Sequence, residues 1–539
     1  MVRGHYVNGV AATPRRIGAR ISPLALALVG FLGLIALFAL LVAATVHAVT
    51  ANSDSATVAL EGQSIAHGNL TLSGWSLSLD SFWTIDALFY ALAGLAFGLN
   101  PDLVNLVPAL LAVLVIALGA YLAGEGLAPK GALAAGSAVV VLLGLPSHAL
   151  AFFFLQGPWH VGTALWCLVA FAALRDARLG WRPLLAAVFL AAGVLGDLQS
   201  VGLGVIPVAL AGLVAMCRTR SWRAGAGYLV AAVGGVALAL VVREVTTALG
   251  AFGYHESHHT ASLAQMGHNL GHAASWSLSL LGVTGGPVGG PAVPLPYELA
   301  HLIGALAVLA AVVFGVVALL GGAWRGTSQP AGPWRLDDLL VLACLGDLGT
   351  FEVLALSKNP AYARYLTAAV IFATVLAARM IGRRVAKLEP GTATRALAVL
   401  ALVIAGCFAG EVALDLDGAA PAQPVSALDD FLVAHHLHHG IGDYWAASIV
   451  TLETHGAVTV RPIVANASGV LVRDGRQSDV SWYAGQRFAF LVYQRAPYGR
   501  VAPRTIDYTF GAPARTYTIG KYYVALWDHP LVLPPGEFP

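Results

Sequence analysis

The sequence predicts a polytopic α-helical membrane protein of about eleven transmembrane helices, followed by a small extracytoplasmic α/β domain. Three observations lead there. Of the 539 residues, 58% are hydrophobic and 11% charged, with a mean hydropathy of +0.75, whereas a soluble domain carries about a quarter charged residues. Apolar runs approaching the ~20 residues of a membrane span recur as far as residue 415. The cations between these runs fall in alternate loops, as the positive-inside rule requires. The net charge of +2 adds little. The four cysteines (Cys167, Cys217, Cys344, Cys407) lie in or beside apolar runs and offer the polar segments no disulfide framework.

Arg15, Arg16 and Arg20 precede the first run, 23–49. The arrangement resembles a signal peptide, but the run is long enough to span and no small-residue cleavage site follows, so a retained first helix is expected. Next comes a polar segment, Asn52 to Asp102, with five acids and neither Lys nor Arg. Further spans are expected at 103–124, 132–154, 159–174, 184–197, 200–217, 224–242, 299–321, 337–356, 363–382 and 395–414. Lys130, then Arg175, Arg178 and Arg182, then Arg218, Arg220 and Arg223, then Arg325 and Arg335, then Arg379 to Arg395 share one side with the N-terminal arginines. That side is therefore cytoplasmic. The run 82–99 is apolar enough to be mistaken for a span, yet counting it would invert every later loop. It is read as a juxtamembrane or re-entrant element with Trp83 and Asp86 at the interface.

The division is thus a membrane domain 1–415, with external loops at 51–102 and 243–298, and an extracytoplasmic domain 416–539. The tail has ordinary polarity and room for its own core. Helical patterning is visible in ALDDFLVAHHLHH and DYWAASIVTLETHG, and strand patterning in AVTVRPIV, RFAFLVYQR and RTYTIGKYYVALW.

Only three cations serve the external face before the tail: Arg243, Lys358 and Arg364. SKNPAYARYL sets Lys358 and Arg364 on the rim between two spans, where the Pro360 turn lets both face one anionic headgroup; snorkelling at a helix end is the other reading. Arg243 has Glu244 beside it for local pairing. Asp54 lies just past the first helix, at headgroup depth, and is either a solvated helix-end acid or a functional one. Glu61 and Asp80 are second-rank acids of the same loop. Asp197, in GVLGDLQSVG, could hold sugar hydroxyls or satisfy its own helix ends. His160, in QGPWH beside Trp159, fits interfacial aromatic packing or a substrate contact.

A first helix followed by SDSA, an amphipathic stretch ending in LFYALAGLAFG, multiple spans, and a late external SKNPAYARYLTAAVIF together resemble the GT-C glycosyltransferases. These are membrane enzymes of the protein-mannosyltransferase, aminoarabinose-transferase and mycobacterial mannosyl- and arabinosyltransferase type. The resemblance covers the layout of the membrane domain. It implies transfer, with inversion, of a sugar from a polyprenyl-phosphate donor to an extracytoplasmic glycan, lipid or protein acceptor. Asp54 takes the place of the first-loop acid that acts as base or organises the acceptor. Lys358, Arg364 with Tyr365, and more weakly Arg243, take the donor phosphate, and Glu61, Asp80, Asp197 and His160 contact substrate. Such chemistry needs a base and a cation for the departing phosphate and requires no cofactor, while leaving room for a divalent ion. The segment SLDSFWTID lacks the Pro-rich, often His-Pro-Pro, opening of many relatives, which leaves the subfamily and the sugar open.

HESHH (His255, Glu256, His258, His259) matches the HExxH zincin pattern, and His268 and His272 repeat its spacing. A metal site on His255, His259, His268 and His272, or a membrane zinc metalloprotease, therefore stands as an alternative. A transporter or lipid-binding scaffold is another, whose mark would be paired acids and bases in mid-span and symmetry between the halves; Asp347 and Glu352 are the only acids near mid-span, and the halves do not resemble each other. HHLHH (His435 to His439) is expected as an exposed helix face. Asn69 and Asn466 begin formal glycosylation triplets that carry no weight beside a bacterial-looking composition. The expected setting is the plasma (inner) membrane of a bacterium, with membrane lipids around the chain and no nucleic acid or nucleotide partner.

Overall fold

The computed structural model describes residues 23–175, 179–254, 260–283, 293–325, 336–354, 359–423 and 425–538. The helical part begins with α1 (Pro23–Ala48) and α2 (Ser53–Ala66), a short strand β1 (Trp75–Leu77), α3 (Asp86–Phe97), α4 (Leu103–Gly124), α5 (Pro129–Gly144), α6 (His148–Phe154), α7 (Val161–Ala173) and α8 (Trp181–Gly196). A π-helical turn, Val201–Val205, leads into α9 (Ile206–Thr219), followed by α10 (Arg223–Ala248), strand β2 (Gly253–Tyr254), α11 (Leu263–Leu280), α12 (Leu295–Arg325) and α13 (Leu336–Val353). A 3-10 turn, Pro360–Leu366, opens α14 (Thr367–Lys387), and α15 (Thr392–Asp417) ends this part.

Among the described residues, seven helical segments are long and apolar enough to cross a membrane, and α5 with α6 make an eighth if the pair counts as one span. The run expected as one helix over 132–154 is in fact broken, with an 87° bend between α5 and α6. Pro146 disfavours helical backbone at the residue before it, and Ser147 accepts the Leu150 N–H to start a new helix. Helices α7 and α8 are short, and α13 carries four acids. The π turn before α9 precedes Pro207, which has no N–H to bond back.

The core is centred on α14, buried on all sides from Thr367 to Arg379, as a helix apolar around its whole circumference should be. Its approach to α5 depends on glycine: a Cβ on Gly131 would meet the Gly382 carbonyl at 2.6 Å. Helices α1, α12 and α15 turn apolar side chains outward, among them Val29, Val317 and Leu402. At the α14 C-terminal end, Asp337 pairs with Arg379 (2.8 Å) and Arg383, and Asp338 pairs with Arg218.

The tail consists of α16 (Ser426–Ala434), β3 (His439–Gly442), α17 (Tyr444–Glu453), β4 (Thr459–Ala465), β5 (Leu471–Asp474), β6 (Ser478–Asp479), β7 (Phe488–Gln494), α18 (Pro503–Phe510), β8 (Arg515–Ile519), β9 (Tyr522–Leu531) and β10 (Glu537–Phe538). Seven of its strands form one mixed sheet in the order β10-β5-β4-β3-β7-β9-β8, with β3 parallel to both neighbours. The eighth, β6, joins β1 and β2 in a separate three-stranded sheet, pairing Trp75 with Asp479 and Ser76 with Gly253. The tail is thereby stitched to both long loops. Its Ala446, Val450 and Phe490 belong to the same continuous core as the helices, and Ile441, Ile463 and Leu491 to a second core within the tail. The HHLHH string is exposed but is not a helix face, since α16 stops at Ala434 and His439 already lies in β3.

Candidate functional site

Helix α2 sets the first acid. Asn52 caps it by accepting the Ser55 N–H at 3.1 Å, and the Ser55 hydroxyl accepts the Asn52 N–H at 3.2 Å, a reciprocal capping box. Asp54 therefore sits in the first turn, where exposed N–H groups favour a carboxylate. The tail closes over it. The Tyr444 hydroxyl donates to Asp54 Oδ1 at 2.5 Å and also touches the Gln477 side chain, while Thr57 donates to Ser448 at 2.8 Å. Asp443 fixes Tyr444 by capping α17 through the Trp445 N–H (3.0 Å) and accepting the Gln494 N–H (2.8 Å). Burial, and then the Asp54 carboxylate, push the Tyr444 phenol up, so it remains a donor at neutral pH.

Arg364 comes from the 3-10 turn, whose first residues are held by Asn359 accepting the Ala361 N–H at 3.0 Å. Its guanidinium lies over three rings, 5.1 Å from Tyr365, 5.7 Å from Trp159 and 5.8 Å from Tyr362. Such stacking holds a cation without neutralising it. Its Nε has no hydrogen-bond partner among the described residues, and Asp54 and Asp80 both lie within its electrostatic reach.

Asp80 is half-buried and hydrogen-bonded to Asp197. Withdrawal from water, then the Asp197 charge, push its carboxyl up to about 7 against the pull of His160 and Arg364. Asp197 is fully buried and accepts from His160 Nδ1 at 2.8 Å, from the Thr163 hydroxyl, and from the Gln199 N–H at 2.8 Å. Gln199 continues the network, donating to Asp347 at 2.6 Å and to the Tyr365 carbonyl at 3.0 Å, and Asp347 accepts the Ala369 N–H at 2.7 Å. The first loop is seated here because its donors satisfy the open carbonyls at the end of α8. Phe82 N–H reaches Gly196 at 2.7 Å, Thr84 reaches Ala192 at 2.5 Å and Ser81 reaches Leu195 at 3.2 Å.

Behind this group lies a second acidic pair. Glu61 is fully buried, and neither of its carboxylate oxygens has a partner among the described residues; Asp86, 1% exposed, and Tyr90 each leave an oxygen in the same condition. Burial, and then Asp86, hold the Glu61 carboxyl well above the ordinary range.

The structure thus brings Asp54, Asp80, Asp197, His160, Arg364 and Tyr365 into one cluster, with Glu61 behind it. Arg243 is an exposed residue of α10, five residues before that helix ends at Ala248. Lys358, His255 and His259 lie outside the described residues. His268 is exposed on α11 and His272 stacks on Trp276 at 4.7 Å; among the described residues no group of three or more His, Cys, Asp and Glu could hold a metal ion. His160 is buried, paired with Asp197, and packs on the Tyr365 ring at 4.7 Å. Trp83 and Asp86, expected at an interface, are likewise buried, and the Trp83 indole donates to the Leu70 carbonyl at 2.8 Å. Sequence reasoning gave no site role to Tyr444, Gln477, Thr163 or Asp347. Only Asp347 carried a usable signal, an acid inside the apolar run CLGDLGTF.

No protein-family model matches the chain, and no curated protein matches it. Among solved structures it is similar to the archaeal oligosaccharyltransferase AglB from Archaeoglobus fulgidus in complex with an inhibitory peptide and a dolichol-phosphate. That match has 12% identity and a TM-score of 0.44, and covers 86% of this chain and 70% of that one. The Archaeoglobus fulgidus oligosaccharyltransferase complexed with Zn and sulfate matches at 13% identity and a TM-score of 0.45, covering 83% and 64% of the two chains. Its apo form matches at 13% identity and a TM-score of 0.42, covering 86% and 69%. At this distance no residue's role is carried across.

Proposed function

We propose that this chain is a GT-C-type membrane glycosyltransferase that moves a sugar from a polyprenyl-phosphate donor to an extracytoplasmic glycan, lipid or protein acceptor with inversion. The observation that carries the reading is the convergence of Asp54, Asp80 and the ring-stacked Arg364, two acids beside a cation, where the first loop meets the tail. In this reading the N-terminus is cytoplasmic and the cluster faces the opposite side of the plasma membrane of a bacterium.

The chemistry follows from the charges. The acceptor hydroxyl oxygen bonds to the anomeric carbon as its proton passes to the Asp54 carboxylate. The bond between that carbon and the phosphate oxygen breaks on the opposite face, and its electron pair stays with the phosphate, where Arg364 stabilises the added charge. A single displacement inverts the anomeric centre. Tyr444 orients Asp54, and the tail lies over the acceptor side of the cluster. The transporter alternative draws less support, because Asp347 is held by Gln199 and by the Ala369 N–H within a fixed network.

The test is transfer of radiolabelled sugar from synthetic polyprenyl-phosphate donors by the purified protein, with Asp54→Asn beside it. Loss of about 10²-fold or more in a folded variant is expected for removal of a general base. Undiminished transfer in Asp54→Asn would remove that residue as base, and no transfer across a broad donor panel would remove the reading.

A further inference from the structure

A cavity of about 330 Å³ opens between α2, β1 and the tail, within the ~300–1,000 Å³ typical of small-molecule pockets. Leu60, Gln63, Ser64 and His67 line it from one face of α2, at the spacing of residues that share a helical stripe. Asp54 precedes Gln63 by nine residues, about 14 Å along the axis and half a revolution around it. The cavity is therefore separate from the cluster around Asp54.

Its lining mixes hydrogen-bond donors and acceptors around an aromatic wall. Arg461 lies 4.2 Å over the Trp482 ring, and Trp75 meets Trp482 edge-on at 5.0 Å. The Arg461 guanidinium forms no ion pair among the described residues, and burial pushes it down to about 10 against a modest pull from Tyr483 and Asp479. It is still charged at neutral pH and has N–H groups to give. Gln63 adds an amide. The His67 and His455 rings are each held through Nδ1, to the Gln63 carbonyl at 2.7 Å and the Leu99 carbonyl at 3.2 Å. Each ring thus has its Nε2 left for a further hydrogen bond. Asp479 accepts the Ser481 N–H through Oδ1 at 2.8 Å, so its second oxygen is available as a further acceptor.

A ring of hydroxyls suits such a wall, because each hydroxyl both donates and accepts, whereas an anion would meet the Asp479 carboxylate. We infer that this cavity is a saccharide-binding site for an uncharged part of the glycan acceptor, held away from the hydroxyl that reacts. The inference deepens the glycosyltransferase reading and rests on it for the link to transfer, though binding itself can be measured without any donor.

The experiment uses the full-length protein in nanodiscs and saturation-transfer NMR with linear neutral gluco-, manno-, galacto- and arabino-oligosaccharides, and inorganic pyrophosphate as the anionic probe. At least one oligosaccharide series should bind. Arg461→Gln and Trp482→Ala should each weaken binding at least tenfold with the thermal midpoint preserved, and pyrophosphate should not compete. Arg461→Gln keeps a planar amide against Trp482 and serves if Trp482→Ala fails to fold. Binding by no series, equal binding in the pocket variants, or displacement by pyrophosphate would each overturn the site. Binding without transfer from any donor would keep the pocket and remove the glycosyltransferase reading. Transfer to a saccharide that does not occupy the pocket would do the reverse.

Discussion

Tyr444 places its hydroxyl 2.5 Å from the Asp54 carboxylate, joining the tail to the first loop across 390 residues of sequence. A hydrogen bond to a charged group contributes about 1.5–3 kcal/mol. Tyr444→Phe is expected to lower stability by about that amount and kcat by about tenfold, because Asp54 loses its orienting partner. Combined with Asp54→Ala, which removes the same interaction, the second change should add little. Thermal unfolding and transfer kinetics on the two single variants and the double variant check this.

Arg364 is set by three aromatic rings as well as by its charge. A lysine keeps the charge but loses the planar stack and the forked donors. Arg364→Lys is therefore expected to raise KM for the polyprenyl-phosphate donor roughly tenfold to a hundredfold, at about 1.4 kcal/mol per tenfold, and Arg364→Gln by more. Donor titrations at saturating acceptor measure both. A Lys variant equal to wild type would show that a point charge suffices.

Asp80 predicts a pH dependence. Its folded carboxyl titrates at about 7, raised from an ordinary 3.8, so between those values the folded state binds the proton that the unfolded state has released. Stability contributed by the protonated group is full below about pH 4 and is lost as pH rises toward 7. Asp80→Asn stays neutral throughout and can still donate to Asp197. Its thermal midpoint should match wild type near pH 4, rise above it through pH 7 by the order of 1 kcal/mol or more, and hold that gain beyond. An ionisation near pH 7 in the wild-type kcat/KM profile should vanish in the same variant.

Asp197 tests a framework role against contact with sugar. Besides the Asp80 carboxyl, three donors converge on its fully buried carboxylate. Asp197→Ala would leave them unpaired in the interior, at an expected cost of about 3–5 kcal/mol, seen as loss of monodisperse protein or a large fall in thermal midpoint. Asp54→Asn, at a half-buried site, should leave the midpoint within about 0.5 kcal/mol of the wild-type value once the Tyr444 contact is re-formed to the amide. A stable Asp197→Ala protein with impaired transfer would instead assign Asp197 to substrate.

Much of the helical layout is legible in the chain because its signals are local. Apolar length marks α4, α12 and α15 within a few residues, and alternation marks β4, β7 and β9. The break after α5 was equally local, in Leu145-Pro146-Ser147, and was missed because summed hydropathy ignores backbone chemistry. Asp54 and Arg364 stood out as rare charges beside apolar runs. The burial of Trp83 and Asp86 was not legible, since nothing local in a run with polar flanks reveals that protein will cover it.

The sequence by itself determined that this chain carries membrane-length apolar helices and which few charges stand apart from the greasy background, because each of these depends on residues within one or two turns. Only the tertiary structure decided that Tyr444 meets Asp54, that Asp197 holds His160, that Arg364 lies among three rings, and that β6 joins two distant loops in one sheet. Such meetings depend on how surfaces hundreds of residues apart bury one another, and that long-range packing has no local period to read.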